Sequence, residues 1–302
     1  MLKKYVLNLL IIFSLSVYLI FTFFNTDSTL TQNTNSTFIQ NTDLQKLPKK
    51  IIPIKIIGEL GSNSKQFNNP EGMDFFNEKL YVVDTNNNRL QIFSKNLDLL
   101  SILPLAINDV RGIAITNDKI FVVEMYAYII KSFDHTGNFL NSFSTTWTTD
   151  LLADEDFVYV IEPLISSIQV YDHNGNLIDT VEEIKNLHFL DSNDQYFVAS
   201  GTHIAHNPHE LLLIDKETRA IVQSFPTSPG TTHAAVITEN SIFLLDDGIL
   251  KIFDFNGNLL LEYLIEIPSS DSAFRQIEIN ENILYVLDTA GHNIRMLEII
   301  YE

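Results

Sequence analysis

The chain repeats itself about every forty residues, and that period limits its fold more than any other feature. An apolar five-residue strand, often ending in an acid, is expected at 80–84, 120–124, 158–162, 196–200, 242–246 and 284–288. The final residues of these segments are 40, 38, 38, 46 and 42 apart. A second apolar strand follows each, and in five of the six pairs the strand ends lie eight to ten residues apart, a hairpin distance. A shorter element precedes each pair, expected at 73–76, 113–116, 151–154, 188–190, 234–238 and 277–280. These are the expected inner strands of six four-stranded units. Gly137-Asn138, Gly175-Asn176 and Gly257-Asn258 supply turn residues that tolerate positive φ before the fourth strands.

Counting the fourth strands constrains the architecture further. Only five follow a hairpin, because the sequence given stops just after the sixth third strand, whereas 54–60 (IKIIGEL) precedes the first unit without a partner. The expected fold is an all-β, six-bladed β-propeller in which this N-terminal outer strand completes the last blade. Closure of that kind hides edges that would otherwise invite aggregation. Alternating β-branched and aromatic residues exclude a helical solenoid, and a seventh blade would need another unit that the polar N-terminal stretch cannot supply.

The chain has no cysteine, so disulfides and thiolate chemistry are excluded. Its formal net charge is −19, and since Lys3 and Lys4 offset Asp27 and Asp43, the folded part carries all of it. Phosphate backbones require clustered cations, so nucleic acid is not an expected partner.

After Lys3 and Lys4, residues 5–24 form an uncharged, predominantly apolar run of bilayer-spanning length. No small-x-small cleavage site follows it, so 1–24 reads as a cytoplasmic N-terminus and an uncleaved transmembrane signal-anchor. The flanking lysines place the remainder outside the cytoplasm. The alternative is secretion after signal cleavage. Residues 25–50 read as an Asn/Thr-rich polar stalk and 51–302 as the propeller.

Phe67-Asn68-Asn69-Pro70-Glu71-Gly72, followed by Leu80-Tyr81-Val82-Val83-Asp84-Thr85-Asn86-Asn87-Asn88-Arg89-Leu90-Gln91-Ile92-Phe93, closely resembles an NHL repeat. The last unit resembles it through Leu284-Tyr285-Val286-Leu287-Asp288-Thr289, while units two to five keep strands and turns but lose most of the signature. The Gly-His and Trp-Asp dipeptides of WD repeats are absent.

The repeated acids Asp84, Glu124, Glu162, Asp246 and Asp288 read as structural, since each sits where a hairpin offers amides and, in unit one, Arg89. Residues at the entrances of the inner strands converge on the channel of a propeller. Here they are Glu71, Arg111, Thr149 or Asp150, His188, His233 and Arg275. The fourth unit carries an insertion in which His203, His206 and His209 are spaced by three, a candidate metal-binding loop interrupted by Pro208. The expected function is recognition of a protein, peptide or glycan at the cell surface, with no catalytic residue and no cofactor. Resemblance to six-bladed gluconolactonases, streptogramin lyases and peptidyl-amidoglycolate lyases implies an alternative: a metal-dependent hydrolase or lyase using Ca²⁺ or Zn²⁺, with Glu71, His188 and His233 as the comparable set.

Overall fold

The computed structural model describes residues 47–302 apart from 106, 108, 149, 183, 186, 188, 204–209, 228–231, 247 and 267–273. The apolar run 5–24 and most of the stalk lie outside the described residues. Among the described residues no helix is long and apolar enough to cross a membrane.

Six antiparallel sheets follow one another along the chain. Blade 1 comprises Pro70–Phe76, Lys79–Asp84, Arg89–Ser94 and Leu99–Pro104, and blade 2 comprises Val110–Ile115, Ile120–Glu124, Ile129–Phe133 and Phe139–Ser144. In blade 3 the strands are Leu151–Ala153, Phe157–Glu162, Ser167–Asp172 and Leu177–Val181. Blade 5 consists of Thr232–Ile237, Ile242–Asp246, Ile249–Phe253 and Leu259–Leu264. In blade 6, Phe274–Asn280, Ile283–Asp288 and Asn293–Tyr301 come from the C-terminus, and the outer strand Pro48–Ile57 comes from the N-terminal side.

That last pairing closes the ring as expected, with different bounds. The closing strand begins at Pro48 and ends at Ile57, earlier at both ends than 54–60, and runs in register from Pro48↔Tyr301 to Ile57↔Ile294. Leu47 and Glu302 add a reciprocal pair of backbone bonds at 3.2 and 3.0 Å. Two prolines are tolerated because this is an edge strand and both sit at register shifts, where no ladder amide is required. Gly58 ends the strand at φ +104°, where a Cβ would lie 2.6 Å from the His292 carbonyl oxygen.

Packing confirms a ring. Six clusters of buried apolar residues occupy the six seams between neighbouring blades, and an open row of six blades would have five. The seam between the last blade and the first buries Tyr285, Leu287, Ile294 and Met296 against Phe67, Met73, Leu80, Val82, Phe93 and Leu97. Each fully buried large side chain contributes roughly 1.5–3 kcal/mol. Polar bonds reinforce the seam: Thr289 Oγ1 donates to the Pro70 carbonyl at 2.6 Å and Tyr285 Oη to the Lys95 carbonyl at 2.7 Å.

Asp134, Asp172 and Asp254 explain the Gly-Asn turns. Each carboxylate accepts the amides two and four residues on, while the Asn side chain four residues on donates back. The intervening Gly137, Gly175 and Gly257 take φ near +88°, +89° and +86°.

Blade 4 departs from the expected pattern. Its inner strand is Leu190–Ser192, later than 188–190, and its second strand is lengthened by the insertion to Tyr196–His203. The extra length gives Ile184–Lys185 a partner, so this sheet has five strands, completed by Glu210–Asp215 and Ile221–Pro226.

Candidate functional site

The registers define one face of the disk. Pro70 pairs with Asp84, Val110 with Glu124, and Glu162 with Ser167, so inner-strand entrances lie at the same end as the turns between second and third strands. The repeated acids sit at this end and are structural. Asp84, Glu124, Asp246 and Asp288 are buried and bond Arg89, Lys131, Lys251 and Arg295 at 2.7, 2.7, 2.8 and 3.0 Å. Glu162 accepts instead from the Thr146 amide and hydroxyl. Arg89 reaches further, donating to the Ser62, Asn63 and Gln66 carbonyls, so one guanidinium fastens the segment entering blade 1.

Of the channel-mouth residues, Glu71 is half-buried and accepts from Asn69 Nδ2 at 2.7 Å. Arg111 is half-buried beside the end of the Glu124 strand. Asp150 bridges two blades: its Oδ2 accepts the Leu190 amide at 3.2 Å, and its carbonyl accepts Ile161 N–H. His188, His206, His209 and Thr149 lie outside the described residues. His203, His233 and Arg275 are described only in their backbone, each within a strand. Among the described residues, no three His, Asp or Glu side chains are grouped to hold a metal ion.

The channel holds acids that the sequence reading missed. Asp74, Asp191 and Glu278 stand on the inner strands of blades 1, 4 and 6 and, with Asp150, act electrostatically on one another. Each is enclosed by protein yet keeps part of its surface on the channel. Asp74 Oδ2 accepts the Ile115 amide at 2.6 Å and Asp191 Oδ2 the Ile237 amide at 2.8 Å, so both carboxyls tie their blade to the next. Burial is the main force raising Asp74 to about 7, with the Asp191 and Asp150 charges adding to it. Burial likewise raises Asp191 to about 6, although Lys216 opposes it. Glu278 is pushed well above the usual carboxylate range by burial and then by the three aspartates.

A second missed feature lies on the same face. Tyr126, Tyr128, Trp147, Leu164 and Ile165 are 66, 46, 43, 70 and 51 % exposed. Tyr126 and Tyr128 belong to the turn of blade 2, and Leu164 and Ile165 to the equivalent turn of blade 3. The connecting loop lies between those turns: Thr145 N–H bonds the Tyr128 carbonyl, while Thr146 and Thr148 bond Glu162 and the Ile161 carbonyl. Trp147 therefore belongs to the loop that runs between the two turns. In blade 1 the corresponding turn is Thr85-Asn86-Asn87-Asn88, and in blade 6 Thr289-Ala290-Gly291-His292, without large apolar side chains.

Sequence comparison agrees with this geometry in blade 1. The NHL repeat family matches residues 67–93. The chain carries an NHL repeat in a six-bladed propeller. No curated protein matches this NHL-repeat chain in sequence. Solved structures similar to it include hydrazine synthase of Kuenenia stuttgartiensis, at 10% identity and TM-score 0.60, covering 77% of each chain. Raptor of Chaetomium thermophilum is 12% identical at TM-score 0.60, covering 85% of this chain and 30% of that one. Virginiamycin B lyase from Staphylococcus aureus is 13% identical at TM-score 0.58, covering 83% of this chain and 99% of that one. At such identities the likeness concerns the fold alone.

Proposed function

We propose that this NHL-repeat propeller is a binding protein, held outside the cytoplasm by residues 5–24 and a polar stalk, that takes up a protein or peptide on the face formed by the turns of blades 2 and 3. The supporting observation is the set of exposed side chains Tyr126, Tyr128, Trp147, Leu164 and Ile165 on two adjacent turns and the loop joining their blades, on a scaffold whose equivalent turns in blades 1 and 6 are small and polar. Exposed apolar side chains are ordinary singly, but a cluster on adjacent loops of a rigid scaffold marks an interaction surface. Tyr and Trp supply large contact area at low entropic cost. The aliphatic Leu164 and Ile165 favour a protein or peptide over a glycan, for which the aromatic plates would suffice.

Photo-crosslinking in cells bearing the full chain tests this. A crosslinker at position 164 is expected to capture a discrete partner that one at position 259, on the opposite face, does not. Tyr126→Ala with Trp147→Ala should abolish that product. Identical products from both positions, or no product at all, would contradict binding at this face, as would turnover of lactones or amidated-peptide precursors by the purified chain.

A further inference from the structure

We infer that the partner of the blade 2–3 patch presents a cationic, apolar peptide segment, with basic side chains flanking the residues that cover Trp147; this rests on the binding reading above. The patch lies between exposed acids. Asp109 precedes the inner strand of blade 2, beside the turn holding Tyr126. Glu182 lies two residues before Ile184, whose amide bonds the Ser166 carbonyl in the turn holding Leu164 and Ile165. Of the nearby cations whose side chains are described, Lys131 is committed to Glu124 at 2.7 Å and Arg111 is half-buried. The chain as a whole bears −19, so its field attracts a basic partner and repels both acidic proteins and anionic lipid surfaces. An apolar centre with a charged rim is the usual anatomy of a specific interface.

The residue type, in a backbone conformation shared by these turns, sets the blade 2 turn apart. Tyr128 takes φ +54°, at the turn position where blade 1 has Asn88 at +50° and blade 6 His292 at +52°. Asn and His accept the left-handed region readily, whereas a bulky Tyr pays strain to occupy it. The turn keeps that strain while pointing a ring, 46 % exposed, at solvent.

Trp147 is the single tryptophan of the chain, so its emission reads occupancy of the patch directly. The full chain in phosphatidylcholine nanodiscs is titrated at physiological ionic strength with a short tryptophan-free peptide alternating Lys with Leu and Phe. Its Glu-for-Lys analogue, a neutral oligosaccharide and phosphatidylglycerol vesicles are run in parallel. The Lys peptide is expected to shift Trp147 emission to the blue, and Tyr126→Ala or Leu164→Ala to weaken binding on the order of tenfold. Leu259→Ala, on the opposite face, should leave it unchanged. A shift with the Glu analogue, the oligosaccharide or the vesicles in place of the Lys peptide would overturn the cationic assignment while the binding face stands. So would unaltered affinity for the Lys peptide in both patch variants. Silence of Trp147 toward every probe overturns the assignment as well; joined to an absence of crosslinks from position 164, it removes the binding reading too.

Discussion

Asp74 shows how one side chain can matter to the whole ring. Its carboxyl links blade 1 to blade 2 through the Ile115 amide, yet burial and neighbouring charges raise it to about 7 from an ordinary 3.8. An acid with a raised folded pKa holds its proton more tightly folded than unfolded. Stability from this group is therefore fully present below about pH 4 and falls as pH rises toward about 7. Asp191 and Glu278 are raised too, and the Asp74 and Asp191 charges act on Glu278, so these acids respond to pH as one interacting set. Tyr81 on the second strand and Lys216 beside Asp191 are further groups facing them. Asp74→Asn mimics the protonated form. It should stabilise the protein at pH 8 by roughly 2–4 kcal/mol and leave it unchanged near pH 4, a difference read by thermal melts at both pH values. Relief of the general acidic repulsion at low pH would persist in the variant, which separates the two effects. This carboxyl was not legible in sequence: Met73-Asp74-Phe75-Phe76 reads as an apolar strand, and its partner Ile115 lies a whole repeat away.

Hairpins, by contrast, announced themselves. An acid recurring at the end of the second strand in five of the six units is readable as a structural device because one blade also shows its partner, Arg89, five residues on. The structure adds what it does: in four blades it pairs with a buried or half-buried cation, and in blade 3 Glu162 holds the incoming loop through Thr146. Arg89→Ala would leave the buried Asp84 carboxylate without its counter-charge, held only by neutral donors from Asn68, Asn87 and Gln91, and would release the Ser62 and Asn63 carbonyls. A loss of about 3 kcal/mol is expected, measured as a fall in the denaturant midpoint. Arg89→Lys should recover only part, since an ammonium cannot replace the planar fork. In blade 4 the inner strand falls at Leu190–Ser192, two residues later than the repeat suggests, where it pairs with residues 197–199, while the insertion lengthens the second strand beyond them. The turns of blades 2 and 3 were visible as turns, but nothing local in Tyr126, Trp147 and Leu164 reveals that they share one face. That follows from repeat register and from the hydrogen bonds of Thr145, Thr146 and Thr148.

At the scale of the molecule, the count of outer strands was the most informative feature, because a ring of sheets cannot leave one blade a strand short without exposing an edge. The structure places the closing strand at Pro48–Ile57, packs Ile51 into the core between blades 5 and 6, and seals the final seam with residues from both ends of the domain. A binding face on blades 2 and 3 requires this rigidity, since loops presented by an open row of sheets would not hold the patch together. Closure is therefore what to measure first, by comparing the thermal unfolding of a chain beginning at Leu47 with that of one beginning at Pro70. A ring closed by the N-terminal strand predicts a single cooperative transition for the longer chain. The shorter one should aggregate or melt far lower, although it keeps every other strand of the six blades. Equal melting temperatures for the two would contradict closure by the N-terminal strand.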